Sequence, residues 1–183
     1  MHPLKFFVRS MRNWKTIGTP IPSSPTASRK MADPVDFESA RIVVELGAGS
    51  GPITKELLKR LHPEAKLFVF ERMKDFADLI RDFNDPRLTV VNDSAEKLIQ
   101  VLNSYGVEKV DAVISTLPLA MMDKKVKENI FIAISKILRP GSPYVQIQYS
   151  LFSRRELKKI FSKVNLRFTL LNFPPSFFYT CRV

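Results

Sequence analysis

Three glycines at alternate positions, Gly47, Gly49 and Gly51, follow an acid, Glu45, in the stretch "RIVVELGAGSGPITKELLKRL". Missing side chains let a backbone pass close to a ligand and aim its amides at it, and the helical pattern that follows brings a helix amino terminus to the same place. Twenty positions beyond Gly51, Glu71 ends the β-like run "KLFVFE", where a carboxylate can accept both hydroxyls of a ribose. Asp93 ends a third such run, "LTVVND", where a carboxylate can accept a hydrogen bond from an adenine amino group. Dinucleotide sites use G-x-G-x-x-G, whose spacing seats a pyrophosphate on a helix start; here the spacing is E-x-G-x-G-x-G. A carboxylate two residues before the first glycine disfavours pyrophosphate and suits an ammonium and a sulfonium. Ribose, adenine, ammonium and sulfonium together point to S-adenosylmethionine as cofactor.

These residues need a scaffold that brings the ends of several strands together. After Met31 the chain alternates between β-rich runs (41–46, 66–71, 88–93, 110–116 and 144–149) and runs with apolar residues at helical spacing ("ITKELLKRL", "MKDFADLIRDF", "SAEKLIQVLNSY", "KKVKENIFIAISKIL"). Such alternation predicts βαβ units and a parallel sheet. "SRRELKKIFSKV" reads as a further helix, and "LRFTLLNF" and "SFFYTCRV", close together around Pro174 and Pro175, read as an antiparallel hairpin. The expected fold class is α/β, a Rossmann-like, doubly wound, mostly parallel seven-stranded sheet with an antiparallel C-terminal hairpin. The expected organisation is a methyltransferase-sized domain over 31–183, preceded over 1–30 by a basic helix and the Pro/Ser connector "TPIPSSPTAS".

The 183 residues suit one such domain, and 45% apolar with 26% charged residues excludes disordered and fibrous classes. Cys181 is the sole cysteine, which excludes an internal disulfide and a cysteine-built metal site; no metal is expected. The net charge of +11 is uneven. Residues 1–30 hold six Lys or Arg and no acid, residues 151–183 seven against Glu156, and residues 31–150 sixteen against seventeen. Basic ends on a neutral middle suggest an anionic partner.

The motifs resemble those of the class I S-adenosylmethionine-dependent methyltransferases and, more narrowly, the bacterial phospholipid N-methyltransferase family, itself similar to the ribosomal RNA adenine dimethylases. The resemblance runs through "FFVRSMRNWKTIGTPIPSSPTASRKMA", "VVELGAGSGPIT", "VDAVISTLPLAMM", "LRPGSPYVQIQYS" and "NFPPSFFYTCR", nearly the whole chain. It implies that Ser23 and Ser24 contact the methionine end of the cofactor, which Glu45, Gly47, Ala48, Gly49 and Gly51 would line. Glu71 and Arg72 would hold the ribose, and Asp93, Ser94 and Ala95 would border the adenine. Ser115 to Leu119 would lie beside the transferring methyl, with Ser115, Leu117 and Pro118 shaping the acceptor pocket. Thr116 departs from the family, whose members often carry Gly there.

Methyl transfer is an in-line displacement, so alignment and exclusion of water matter more than covalent help. Pro118 stiffens the loop after the fourth strand, carbonyls of that loop could orient an amine, and Tyr149, ending the fifth strand, is a candidate acceptor contact. Asp123 reads as a helix cap, and His2 and His62 as surface residues. The adenine dimethylases carry Asn-Leu-Pro-Tyr or Phe after the fourth strand, the ring stacking on the base; here Ser115 stands for the Asn and Leu119 for the ring. RNA is therefore the weaker partner, and an aminophospholipid, phosphatidylethanolamine foremost, the expected acceptor. A noncatalytic cofactor-binding module is a third reading. In "PLKFFVRSMRNWK", Leu4, Phe7, Val8, Met11 and Trp14 share one helical face and Lys5, Arg9, Arg12 and Lys15 the other. This pattern in residues 1–15 suits an anionic membrane surface, a lid over the cofactor or a targeting segment. The expected location is cytoplasmic and peripherally membrane-associated; nothing in the sequence indicates an oligomeric state.

Overall fold

The architecture comes from a computed structural model that describes residues 24–151, 153–169 and 175–183. The expected amphipathic helix at 1–15, and Ser23, lie outside the described residues. The first described helix, α1 (Pro25–Ala32), begins inside the stretch expected to be a connector and crosses the expected boundary at 30/31. Its cause is local: Ser24 Oγ accepts the Ala27 amide at 3.1 Å, and Pro25 supplies a pre-set first helical residue with no amide to satisfy. Ala27, Ser28, Met31 and Ala32 are buried, so α1 belongs to the folded core.

Seven strands follow: β1 (Ile42–Leu46), β2 (Lys66–Phe70), β3 (Leu88–Val91), β4 (Ala112–Ser115), β5 (Pro143–Gln148), β6 (Lys163–Thr169) and β7 (Ser176–Arg182). Their order across the sheet is β3-β2-β1-β4-β5-β7-β6, parallel through β5, with β7 inserted antiparallel between β5 and β6. The hairpin is thus present, but its second strand, not its first, adjoins β5.

Helices α2 (Pro52–Arg60) and α3 (Lys74–Arg81) pack with α1 on the face carrying Val43, Leu67, Val69, Ile114 and Val145. Helices α4 (Leu98–Ser104), α5 (Lys124–Ile137) and α6 (Arg154–Ile160) cover the face carrying Leu46, Phe68, Phe70, Val113 and Tyr144. Covering both faces explains the nearly continuous apolar strands, because neither set of alternating side chains meets water. Helix α6 ends at Ile160, and of the residues expected to extend it to Val164, Lys163 and Val164 enter β6 instead. Val164 there packs against the core beside α5 and α6, so tertiary burial overrides the helical periodicity.

The chain builds β1, β2 and β3 outward in one direction and then returns to place β4 on the other side of β1. A crevice forms where strand order reverses, outside the carboxyl ends of β1 and β4. The glycine loop leaves one lip of it, and the Ser115–Leu119 segment leaves the other.

Candidate cofactor and acceptor site

All three loop glycines have left-handed backbones, with φ of +78° at Gly47, +54° at Gly49 and +82° at Gly51, a region that disfavours a side chain. Their missing side chains serve different ends. A Cβ on Gly47 would stand 3.2 Å from Leu117 Cδ2 and 3.3 Å from Thr116 Oγ1, so this glycine lets the two lips of the crevice meet. One on Gly51 would lie 2.6 Å from Phe83 Cζ, which makes Gly51 a packing position beneath the ring that follows α3. One on Gly49 would meet nothing within 4 Å, and Gly49 alone of the three faces open space. Ala48, between them, is buried against the α1–α3 face.

Glu71 follows β2 and is only 7% exposed. Its Oε2 accepts the Gly49 amide at 2.9 Å and its Oε1 the Met73 amide at 2.8 Å. The carboxylate therefore ties the glycine loop to the end of β2, and each oxygen keeps a second lone pair for a ribose hydroxyl. Asn92 holds the neighbouring turn, its Nδ2 donating to the carbonyls of Glu71 at 2.9 Å and Arg72 at 3.1 Å. Arg72 itself is exposed. β3 ends at Val91, two residues before Asp93, which is exposed and accepts the Ser94 amide at 2.6 Å. Ser94 Oγ accepts the Glu96 amide at 3.3 Å, and Ala95 is buried beside it.

Glu45 is fully buried. Thr54 Oγ1, on α2, donates to its Oε2 at 2.7 Å, whereas Oε1 is buried without a hydrogen-bond partner. Burial, more than the nearby charge of Glu71, pushes its carboxyl up to about 8, even against the Thr54 hydrogen bond. A buried carboxylate oxygen left without a donor is costly, and the arrival of a cation would satisfy it. These residues fit S-adenosylmethionine: an orphaned acid for its ammonium, a braced carboxylate for its ribose, and open backbone at Gly49 between them.

On the other lip, Ser115 ends β4 fully buried, its Oγ accepting the Leu117 amide at 3.3 Å. Thr116 donates its hydroxyl to the Gly47 carbonyl, so the residue that departs from the family pattern links the two loops. Of the loop carbonyls that could orient an amine, that of Leu117 is already taken: Gln146 Nε2 donates to it at 3.1 Å, Gln148 Nε2 at 2.9 Å and the Leu119 amide at 2.8 Å. The two glutamines are buried on β5, and the Tyr144 hydroxyl orients the first by donating to Gln146 Oε1 at 2.7 Å. Pro118 is half-buried, and its carbonyl accepts the Met121 amide at 2.9 Å. Leu119 is wholly inside the core cluster with α5 rather than on a pocket wall, so its identity does not distinguish a base-stacking surface. Tyr149, just beyond β5, is 38% exposed at the same edge. Asp123 caps α5 as expected, accepting the Lys125 amide at 2.8 Å and that of Val126 at 3.3 Å.

Sequence reasoning missed Thr54, Asn92, Gln146 and Gln148. For Thr54 a signal existed: nine residues separate it from Glu45, across one loop and into the first turn of the next helix. Ser24 was expected at the methionine end; its Oγ is engaged in capping α1. Among the described residues no three His, Cys, Asp or Glu are grouped to hold a metal, and no helix is long and apolar enough to cross a membrane.

A family model described as "Methyltransferase domain" matches residues 43–141. Over 180 residues the chain is 35% identical to an ornithine lipid N-methyltransferase of Singulisphaera acidiphila, covering 97% of this chain and 94% of that protein. It is 34% identical over 91 residues to a ribosomal RNA small subunit methyltransferase H of Christiangramia forsetii, covering 50% of this chain and 30% of that one. In structure, a precorrin-6y C5,15-methyltransferase of Geobacter metallireducens superposes with a TM-score of 0.68 at 17% identity, covering 85% of this chain and 87% of the other, which speaks for the fold. With the glycine loop, the braced Glu71 carboxylate and the switch-point crevice already in place, the chain belongs to the class I S-adenosylmethionine-dependent methyltransferases.

Proposed function

We propose that the protein methylates the amine headgroup of a membrane lipid, taking the methyl from S-adenosylmethionine. The observation that carries the reading is the extent of the lipid-methyltransferase similarity: it spans 97% of the chain and so takes in both lips of the crevice, whereas the ribosomal RNA relative matches half. When bound, the cofactor supplies a methyl on a positively charged sulfur. Glu45 would accept its ammonium, Glu71 its ribose hydroxyls, and Asp93, Ser94 and Ala95 would border its adenine, with Arg72 beside the ribose. Ser115, Leu117 and Pro118 would shape the acceptor pocket. In this role Gln146 and Gln148 hold the Leu117 carbonyl still, so that the loop presents a fixed wall to the incoming amine. Tyr149 would meet the headgroup. The acceptor is an amine on a diacyl lipid, phosphatidylethanolamine or an amino-acid lipid of the ornithine kind, reached from the cytoplasmic face of a membrane. Residues 1–15 would hold the protein on that anionic surface.

The test is incubation with radiolabelled cofactor and, separately, phosphatidylethanolamine, ornithine lipid and ribosomal RNA. Label in one of the lipids, absent from a Gly49→Asp variant, is expected. Label confined to RNA would overturn the proposal.

A further inference from the structure

Seven large hydrophobic side chains are exposed among the described residues, and four of them gather at one edge of the sheet. Met121 (55% exposed), Tyr149 (38%) and Leu151 (46%) lie on the segments that leave the carboxyl ends of β4 and β5. Phe168 (54%) reaches the same edge by another route, since β6 runs parallel to β5 and finishes there opposite the start of β7. Its ring lies tilted against that of Phe177, centroids 5.0 Å apart, and Phe177 is partly buried on the α5–α6 face. Four exposed apolar groups thus line the acceptor side of one sheet edge.

Each has cations close in sequence. Lys124 and Lys125 begin α5 just after Met121, Arg154 and Arg155 begin α6 just after Leu151, and Arg167 precedes Phe168; all five are exposed. Two of the acids nearby are engaged: Asp123 caps α5, and Glu156 pairs with Lys127 at 2.7 Å. The first turn of α5 holds no acid and begins with two exposed lysines, beside the capping carboxylate of Asp123.

We infer that this edge is a bilayer-docking surface, in which Met121, Leu151 and Phe168 enter an anionic lipid interface while the surrounding cations meet phosphates. The inference rests on the proposed lipid acceptor and adds a contact within the folded domain itself, separate from residues 1–15. Charge selects the occupant. Residues 1–23 carry four cations and no acid, and a second copy carries the same excess of +11, so both are repelled where an anionic membrane is attracted. Docked this way, the crevice faces the headgroups and the acceptor keeps its acyl chains in the bilayer.

The experiment uses the full chain and phosphatidylcholine vesicles with and without phosphatidylglycerol. The triple variant Met121→Ser, Leu151→Ser, Phe168→Ser should sediment with the anionic vesicles about tenfold less than the wild type, or weaker still. Its cofactor affinity and its transfer to lipid dispersed in detergent micelles should be unchanged. Lys125→Glu with Arg155→Glu and Arg167→Glu should remove the preference for anionic vesicles. Sedimentation unaffected by the triple variant, or a variant that changes self-association of the lipid-free protein, would overturn the docking surface. A wild type that binds vesicles through this edge yet methylates no lipid in micelles would sink the lipid-acceptor reading and leave the surface standing.

Discussion

The two halves of the sheet, β3-β2-β1 and β4-β5-β7-β6, meet at one crevice but hold their loops in different ways. On the first, backbone amides and carboxylates do the holding: Glu71 bridges Gly49 to Met73, and Thr54 secures one oxygen of Glu45. On the second, neutral carboxamides do so, with Gln146 and Gln148 converging on the Leu117 carbonyl. The first half concentrates carboxyl groups where a cationic ligand is expected. The second holds its loop with neutral side chains and ends in a rim where exposed apolar groups stand among cations. Under the proposed function, a cofactor common to many enzymes and an acceptor peculiar to few would meet lips built from different chemistry.

The largest effects should come from the backbone of the first half. Gly51→Ala forces a side chain into the Phe83 ring at a left-handed φ and should cost about 2–4 kcal/mol of stability in denaturant unfolding. Gly49→Ala, facing open space, should cost only about 1 kcal/mol, the conformational part. Equal costs would mean that the two glycines are not used differently. Next, Glu71→Ala should weaken S-adenosylmethionine binding by about 2–3 kcal/mol in calorimetry while the protein stays folded. A folded variant with unchanged affinity would remove Glu71 from the ribose site.

On the second half, Gln148→Leu should lower kcat about tenfold, the worth of one well-placed hydrogen bond, and leave cofactor affinity alone. A loss of cofactor affinity instead would show that the two lips are not separable. The smallest signal is a proton. Glu45 keeps its proton in the free fold until about pH 8, against an ordinary 4.5. Between those values the unfolded chain binds fewer protons than the folded one, so stability of the free protein falls as pH rises through that window. A ligand ammonium beside Glu45 favours its ionised form. Binding near neutrality should therefore release up to one proton and strengthen as pH rises toward about 8. Calorimetry in buffers of different ionisation heat would detect this, and Glu45→Gln should abolish it.

The first half was the more legible in sequence. Its apolar strand runs and the acids at their ends stand in register with the fold because a parallel strand buried on both faces leaves its polar residues at the carboxyl end. The second half was less so. In "YVQIQY" the glutamines alternate with apolar residues and mimic a strand with one wet face, yet all six residues of β5 are buried. Only three-dimensional pairing with Leu117 shows why two carboxamides can be afforded there. Helix α1 was hidden by Pro and Ser, which mark a connector in composition and a helix start in geometry. The start of β6 was masked by a helical pattern, and the position of β7 depends on pairing that no local pattern encodes.

That position affects how the chain must be made. β7 is the last described strand to leave the ribosome, yet it lies between β5 and β6, both synthesised before it. Until residues 176–182 emerge, β5 has one unpaired edge and β6 has no partner in the sheet. The glycine loop and Glu71 can assemble during translation, whereas the Ser115–Leu119 lip must wait for the sheet to close around β7. In that interval a fully apolar-flanked strand edge is open to pairing with other nascent chains, so this half sets the aggregation risk during expression.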